Sequence, residues 1–355
     1  MNKKIIIVAG GTGGHIFPGL AVAYYLRTQG WQIRWLGTSV RMEADLLPKY
    51  GIEIDFISID NIRGTGLKNL LKTPFKIFHA WQQACAIMQK YKPDIVLTMG
   101  GYISGPCGLA AFTCNIPLIL HEQNSIAGIT NKLLAKFANK VTQGFPSAFP
   151  DAKVVGNPIR SSILKIPLPF LQRLKYRTGP IRILIMGGSQ GAHILNQTIP
   201  KVCAQLGNNI MIWHQVGKGN LKNTLNLYKK LKIKISYRIC EFIDDIAEAY
   251  EWADVVICRS GALTVTELTT VGLPAILVPF PHNDKQQYLN AIPLEKSGIA
   301  KIIEQSKFNV ESVVHILSKC NRNRLLEIAK KHRIPTVLNS TQQLAEEIIK
   351  TVNQY

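Results

Sequence analysis

The sequence predicts an α/β protein built from two Rossmann-like, doubly wound domains facing a cleft. Short apolar, β-branched runs alternate with longer amphipathic stretches along the chain, the pattern of parallel sheets covered on both faces. A strand entering a glycine-rich turn occurs twice. Ile5-Ile6-Ile7-Val8-Ala9-Gly10-Gly11-Thr12 aligns with Arg182-Ile183-Leu184-Ile185-Met186-Gly187-Gly188-Ser189, 177 residues on, and one residue of slack then matches Gly14-His15-Ile16 with Ala192-His193-Ile194. The chain of 355 residues is close to twice that offset, and two domains suit this length.

In chain order, strands are expected at 5–9, 33–37, 52–57, 94–100 and 117–122, with helices over 19–27, 67–91 and 127–138. The second half repeats the scheme with strands at 181–187, 209–216, 232–238, 254–260 and 274–280, then helices at 310–318, 324–331 and 341–351. Between the halves, 157–180 carries Pro158, Pro167, Pro169 and Pro180 without a clean period, a candidate hinge. The domain boundaries follow as 1–160 and 161–338.

Composition narrows the class. At 46% hydrophobic and 18% charged residues the chain folds rather than remaining disordered. Seven cysteines, odd in number and without a CxxC pair, predict reduced, buried thiols and a cytoplasmic chain. The apolar run after Lys3 and Lys4 is too short for a signal peptide. The charge-free stretch 95–121 is broken by Gly100, Gly101, Gly105, Pro106, Gly108 and Pro117, so it reads as strands and loops and not as a spanning helix. The expected chain is soluble or at most lies on a membrane.

The net charge is +20, from 42 basic and 22 acidic residues. Between 61 and 150, Arg63, Lys68, Lys72, Lys76, Lys90, Lys92, Lys132, Lys136 and Lys140 face only Asp94 and Glu122. Within that region Leu67, Leu70, Leu71, Phe75, Phe78 and Trp81 recur at helical spacing beside Lys68, Lys72 and Lys76. An apolar stripe flanked by lysines suits docking on an anionic membrane surface; the alternative is a core helix with solvated lysines. Pro74 predicts a broken, loop-like patch rather than one straight helix. No helix-turn-helix, zinc finger or RNA-stacking motif accompanies the charge, so nucleic acid is not the expected partner.

The chemistry-bearing residues sit at expected strand ends. Gly10-Gly11-Thr12-Gly13-Gly14-His15 lets backbone approach a ligand and offers amides at a helix start. It is not a dinucleotide fingerprint, since Ile16 stands where the third glycine belongs, and the chain has no P-loop. His15 is a candidate base for a hydroxyl; equally, it could cap or pack on its own helix. Gly187-Gly188-Ser189-Gln190-Gly191-Ala192 offers a second amide nest. In Arg259-Ser260-Gly261-Ala262-Leu263-Thr264-Val265-Thr266-Glu267, the turn can hold a diphosphate on a helix dipole while Glu267 reaches a ribose diol. Gln286 and Gln287 can read sugar hydroxyls, and Gly100-Gly101-Tyr102 and His121-Glu122-Gln123-Asn124 end strands in the first half. Asp244-Asp245 lacks the DxD spacing of a nucleotide-sugar metal site, so no metal and no cofactor are expected.

The motifs GGTGGHIFPGLAVA (10–23), GGYISGP (100–106), HEQNSIAGITNK (121–132), GNPIR (156–160), MGGSQGA (186–192), SGALTVTEL (260–268) and HNDKQQYLNA (282–291) resemble the MurG family of bacterial peptidoglycan glycosyltransferases. Thr266 stands where that family is expected to have Ser. The resemblance implies the glycosyltransferase B fold and transfer of N-acetylglucosamine from UDP-GlcNAc to the 4-hydroxyl of the MurNAc unit of lipid I, forming lipid II with inversion. It implies that Thr12, Gly13 and Gly14 border the donor, that His15 is base or phosphate contact, and that Asn124 contacts the sugar in the catalytic centre. Arg160 and Ser189 would assist the donor phosphates, Ile243 would offer backbone to uracil, and Ala262, Leu263, Thr264, Val265 and Thr266 would bracket the diphosphate. Glu267 would take the ribose and Gln287 the sugar, with Tyr102 on the acceptor side. A first domain for acceptor and membrane, a second for UDP-GlcNAc, and a last helix, 339–355, crossing back to the first are further implications. So are a peripheral position on the cytoplasmic face of the inner membrane and cell-wall synthesis proteins as candidate partners. The rival readings are a related transferase with a diacylglycerol acceptor and a non-catalytic basic protein binding membrane or nucleic acid.

Overall fold

A computed structural model describes residues 3–59, 67–166, 176–330 and 339–355, with the side chains of 67–72, 208 and 330 outside the described set. The described chain forms two compact units, Met1–Arg160 with Asn339–Tyr355, and Ser161–Leu338. Pro167 and Pro169 of the expected hinge, and Arg63 of the basic region, lie outside the described residues.

The first unit holds a parallel sheet of β1 (Lys4–Val8), β2 (Gln32–Gly37), β3 (Glu53–Phe56), β4 (Ile95–Thr98), β5 (Leu118–Glu122), β6 (Lys140–Gln143) and β7 (Lys153–Val154), in the order β3-β2-β1-β4-β5-β6-β7. The second holds β8 (Ile181–Met186), β9 (Ile210–Gln215), β10 (Tyr237–Cys240), β11 (Val255–Cys258), β12 (Ala275–Leu277) and β13 (Ala300–Ile302), ordered β10-β9-β8-β11-β12-β13. Ile5, Ile6, Ile7 and Val8 are wholly buried, which is why the central strands read as unbroken apolar runs. In both sheets the order reverses beside the first strand, the place where such folds bind ligands.

An aspartate fixes the register in each unit. Asp94 accepts from the Lys4 amide at 2.6 Å while its own amide donates to the Lys4 carbonyl at 2.9 Å. Asp254 repeats this with Arg182, at 2.9 and 2.8 Å. Ile5 therefore pairs with Ile95 as Ile183 pairs with Val255, an offset of 178 where the motif alignment gives 177. An uninterrupted aliphatic run carries no mark of register, so the polar residue at its foot decides it.

Several boundaries differ from expectation. The first helix starts at the glycines, Gly13–Thr28, and the one expected over 127–138 spans only Ile129–Leu134. The strand expected at 232–238 begins at Tyr237, after a turn in which Lys232 has φ +50°. Strands β6, β7 and β13 were not anticipated. The helix Leu67–Tyr91 runs on through Pro74, contrary to the broken patch expected. Proline removes one amide near its start, while Ala80, Ala84 and Met88 further along pack into a core with Ile103, Cys107 and Ala111, and packing rather than propensity sustains most helices.

The last helix, Ser340–Gln354, lies in the first unit and packs on the helix Gly13–Thr28. Its Leu344, Ile348 and Val352 are buried, each contributing roughly 1.5–3 kcal/mol. Its buried Glu347 accepts from Lys153 at 2.8 Å and lies 3.4 Å from Lys140. All seven cysteines are free, and among the described residues no helix is long and apolar enough to cross a membrane.

Candidate active site

In the first unit, His15 sits in the first turn of the helix that follows β1, and its ring rests on the turn after β4. Gly100 and Gly101 there have φ of +89° and +88°. A Cβ on Gly100 would stand 3.4 Å from Cδ2 and Nε2 of His15 and 3.3 Å from Nδ2 of Asn131. The seat thus needs left-handed backbone and no side chain, which glycine alone supplies freely. The Nδ1 of His15 is shut off from solvent, with the Gly10 carbonyl as its backbone neighbour. Burial holds the imidazole below its ordinary pKa, while the Glu122 carboxylate, the Gly10 carbonyl and the Glu43 carboxylate pull it upward. A neutral base backed by negative charge is suited to accepting a proton.

The two carboxylates also organise the backbone around the histidine. Glu122 is buried and accepts from the Asn124 amide (2.9 Å), Asn124 Nδ2 (3.0 Å), the Gly128 amide (3.1 Å) and Asn131 Nδ2 (2.8 Å). Asn124 and Asn131 are thereby held beside one another, and Asn131 Oδ1 is buried without a partner. Glu43, on the helix Met42–Leu46, is fully buried. It accepts from the Gly11 amide (3.1 Å), the Thr38 amide (3.1 Å) and Thr38 Oγ1 (2.7 Å). The Gly11 amide, which the sequence offers to a ligand, is already engaged by this carboxylate. Tyr102, half-buried, places its hydroxyl 3.5 Å from Thr38 Oγ1. Thr12 is exposed, Gly13 and Gly14 are half-buried, and Arg160 stacks its guanidinium 4.2 Å over the Phe17 ring.

His121 belongs to the frame. It is buried between Thr142 Oγ1 (3.1 Å) and Asn157 Oδ1 (3.2 Å), and burial pushes it down to about 4.

In the second unit, the turn after β8 is held by a neutral amide. Gln215 Oε1 accepts from the Gly188 amide at 3.0 Å, and its Nε2 donates to the carbonyls of Gly188 (2.9 Å) and Glu241 (2.7 Å). A Cβ on Gly191 would come 2.1 Å from the Val216 carbonyl, so glycine is required for backbone to touch backbone. Ser189 is half-buried beside this turn, and Ile243 is buried just beyond β10.

After β11, Gly261 caps the helix Ala262–Val271 without a side-chain bond to its first amides, which leaves donors at the positive end of a helix dipole. Of the residues named for this turn, Thr264 is half-buried, while Ala262, Leu263, Val265, Thr266 and Glu267 are buried. Thr266 Oγ1 donates to the Ala262 carbonyl at 2.9 Å, and Glu267 accepts from the Tyr250 hydroxyl at 2.9 Å. Gln287 Oε1 accepts from the Phe280 amide at 2.9 Å, and Ser260 donates to the Gln287 carbonyl at 2.8 Å. Arg259 ties β11 to β12 through the Val278 carbonyl at 3.0 Å.

Glu43, Thr38, Gln215 and Tyr250 join these surroundings without belonging to any of the motifs, and Asn131 does so from within HEQNSIAGITNK. Gln215 left a signal, being polar at the end of the run IMIWHQ. Glu43, within Arg41-Met42-Glu43-Ala44-Asp45, has charged neighbours and no apolar pattern that marks it for burial.

On the proposed membrane segment, Phe75 and Phe78 are 78% and 53% exposed, large values for phenylalanine, and Lys76 is exposed. Trp81 is half-buried, donating to Thr113 Oγ1 at 3.0 Å and packing against Phe78. The side chains of Leu67, Lys68, Leu71 and Lys72 lie outside the described residues.

Two parallel-sheet units with this strand order, each opening its first strand into a glycine turn, are a Rossmann-like pair of the kind found in the glycosyltransferase B fold. The model of the glycosyltransferase family 28 N-terminal domain matches residues 5–143 and that of its C-terminal domain residues 182–349. A protein of Serratia proteamaculans described as a UDP-N-acetylglucosamine–N-acetylmuramyl-(pentapeptide) pyrophosphoryl-undecaprenol N-acetylglucosamine transferase is 58% identical over 98% of both chains. The crystal structure of Acinetobacter baumannii MurG, 40% identical, superposes with a TM-score of 0.81 over 98% of this chain and 99% of that one. A calicheamicin glycosyltransferase shares only the fold, at 14% identity and a TM-score of 0.68 over 100% of this chain and 99% of that one. The chain belongs to glycosyltransferase family 28 and, within it, to the MurG family.

Proposed function

We propose that the chain transfers N-acetylglucosamine from UDP-GlcNAc to the 4-hydroxyl of the MurNAc unit of lipid I, forming lipid II with inversion at the anomeric carbon. The carrying observation is the 58% identity, spread over 98% of the chain, to a relative described as performing this transfer. His15 accepts the proton of the acceptor hydroxyl. Because its Nδ1 is shut in, Nε2 is the nitrogen that takes it. The freed oxygen attacks the anomeric carbon, the bond from that carbon to the diphosphate breaks, and UDP leaves. The amides at Ala262 to Thr264 and the turn at Ser189, with Arg160, stabilise the charge that builds on the diphosphate. Glu267 binds the ribose, the Ile243 backbone faces uracil, and Gln287 and Asn124 orient the sugar, with Thr12, Gly13 and Gly14 at its border and Tyr102 toward the acceptor.

The acceptor's polyprenyl chain stays in a bilayer, so the enzyme works as a peripheral protein at the cytoplasmic face of the inner membrane. The exposure of Phe75, Phe78 and Lys76 on one helix supports docking there through aromatic insertion and lysine attraction to anionic lipid.

Release of UDP from UDP-GlcNAc in the presence of a lipid I analogue tests the reaction, and no release with an accepted analogue would sink it. For the membrane, Phe75→Asp with Phe78→Asp is expected to weaken flotation with anionic vesicles and spare turnover on a water-soluble acceptor. Equal loss of both would mean that the segment serves the core.

A further inference from the structure

We infer that Glu43 is a positioning residue for the transfer, pinning the glycine turn that carries His15 to the end of β2. The inference rests on the function proposed above. Glu43 is buried outright, and its carboxylate draws together two strand ends: Gly11 after β1, and Thr38 after β2 by both amide and hydroxyl. Through Thr38 the same carboxylate reaches Tyr102, beyond β4. A buried carboxylate is costly unless its oxygens are satisfied. Here the satisfying donors are backbone and side-chain groups of the turns that frame His15.

The neighbouring glycines match this carboxylate in shape. A Cβ on Gly10 would lie 2.6 Å from Glu43 Oε1, and one on Gly37 2.9 Å from Glu43 Cγ. Gly10, at the head of the glycine motif, therefore makes room for Glu43. Its backbone needs no left-handed conformation, since it is absent from the positive-φ positions. A motif that reads as a ligand cradle is here partly a socket for an internal anion.

The groups around His15 that bear or could bear charge are Glu43 on its short helix, Glu122 at the end of β5 and Tyr102 beyond β4. Glu43 and Glu122 both favour the protonated ring. Removing the Glu43 charge makes His15 a weaker base, while Glu43→Gln keeps most of the volume and one acceptor oxygen.

The test compares wild type, Glu43→Gln, Glu43→Ala, Gly10→Ala and the double variant Gly10→Ala/Glu43→Ala, each checked by thermal melting. With saturating acceptor, kcat of Glu43→Gln is expected to fall on the order of tenfold, with KM for UDP-GlcNAc unchanged. The acid limb of kcat/KM should move to lower pH, as expected for a base whose protonated form has lost a stabilising charge. Gly10→Ala should reproduce the kcat loss by displacing the carboxylate, yet add nothing in the Glu43→Ala background, where the added methyl has room. Wild-type kcat and pH profile in a folded Glu43→Gln would overturn the inference, as would a loss confined to KM for UDP-GlcNAc or additive losses in the double variant. Absence of transfer by the wild-type chain would instead overturn the reaction proposed above.

Discussion

The two glycine turns come from matching stretches of sequence, yet they are backed by opposite chemistry. Behind the first turn lie the carboxylates of Glu43 and Glu122, and the histidine that follows it is seated on Gly100-Gly101. Behind the second lies the uncharged amide of Gln215, and His193, the counterpart of His15, is exposed. At the site matching Gly100, counted from the paired aspartates, stands Ser260, whose hydroxyl is turned to the Gln287 carbonyl. Negative charge behind a turn repels a phosphate and favours a proton acceptor. A neutral clamp beside open helix amides does the reverse. The same strand-turn-helix motif thus suits hydroxyl activation in one unit and diphosphate binding in the other.

The contrast between the two units rests most heavily on His15. His15→Ala is expected to lower kcat by roughly a thousandfold while UDP binding, followed by titration calorimetry, stays at the wild-type level. Near-normal turnover at saturating donor would remove the base from the first unit. His193→Ala, at the matching place, should change neither quantity.

Acid should expose a likeness rather than a difference. Each unit buries one neutral histidine against an asparagine oxygen: His121 against Asn157, and His214 against Asn196 at 3.1 Å. Burial pushes them down to about 4 and about 3 respectively. Below pH 6.5 the unfolded chain binds protons that the native histidines refuse, so stability is full above that pH and falls as pH drops toward the native values. The loss reaches roughly 3 kcal/mol or more per histidine. Thermal melting across pH 7 to 4 checks this, and hydrogen exchange should show the decline in both units, continuing further down in the second. A melting temperature flat over that range would contradict it.

The smallest effect sharpens the donor side. Glu267→Ala should raise KM for UDP-GlcNAc by about thirtyfold, the magnitude of a lost charged hydrogen bond, and leave the acid limb of the pH profile in place. A shift of that limb would move Glu267 into the proton-transfer machinery and blur the division between the units.

Much of the fold was legible because it is written locally. Aliphatic runs marked the central strands, glycines marked the turns, and Asp94 and Asp254 lay in plain view at the strand feet. The thin edge strand β7 left little pattern, and Pro74 misled because long-range packing carries its helix. Of the candidate site residues, His15 and Glu267 stand out by motif and position and Asn124 by the family resemblance, whereas Glu43 does not. Its neighbours Arg41 and Asp45 are those of a surface turn; Thr38 is five residues away, but Gly11 is 32 away and nothing near Glu43 in sequence reports that it folds back onto it.

The sequence by itself determined two parallel-sheet units, their glycine turns and the family. Tertiary structure decided which turn is negatively backed, which histidine is seated and which glycine serves a carboxylate. Strand and turn identity follow from local sterics and hydrophobic pattern. The burial of Glu43 and its bond to Gly11, 32 residues away, exist only when the chain has folded.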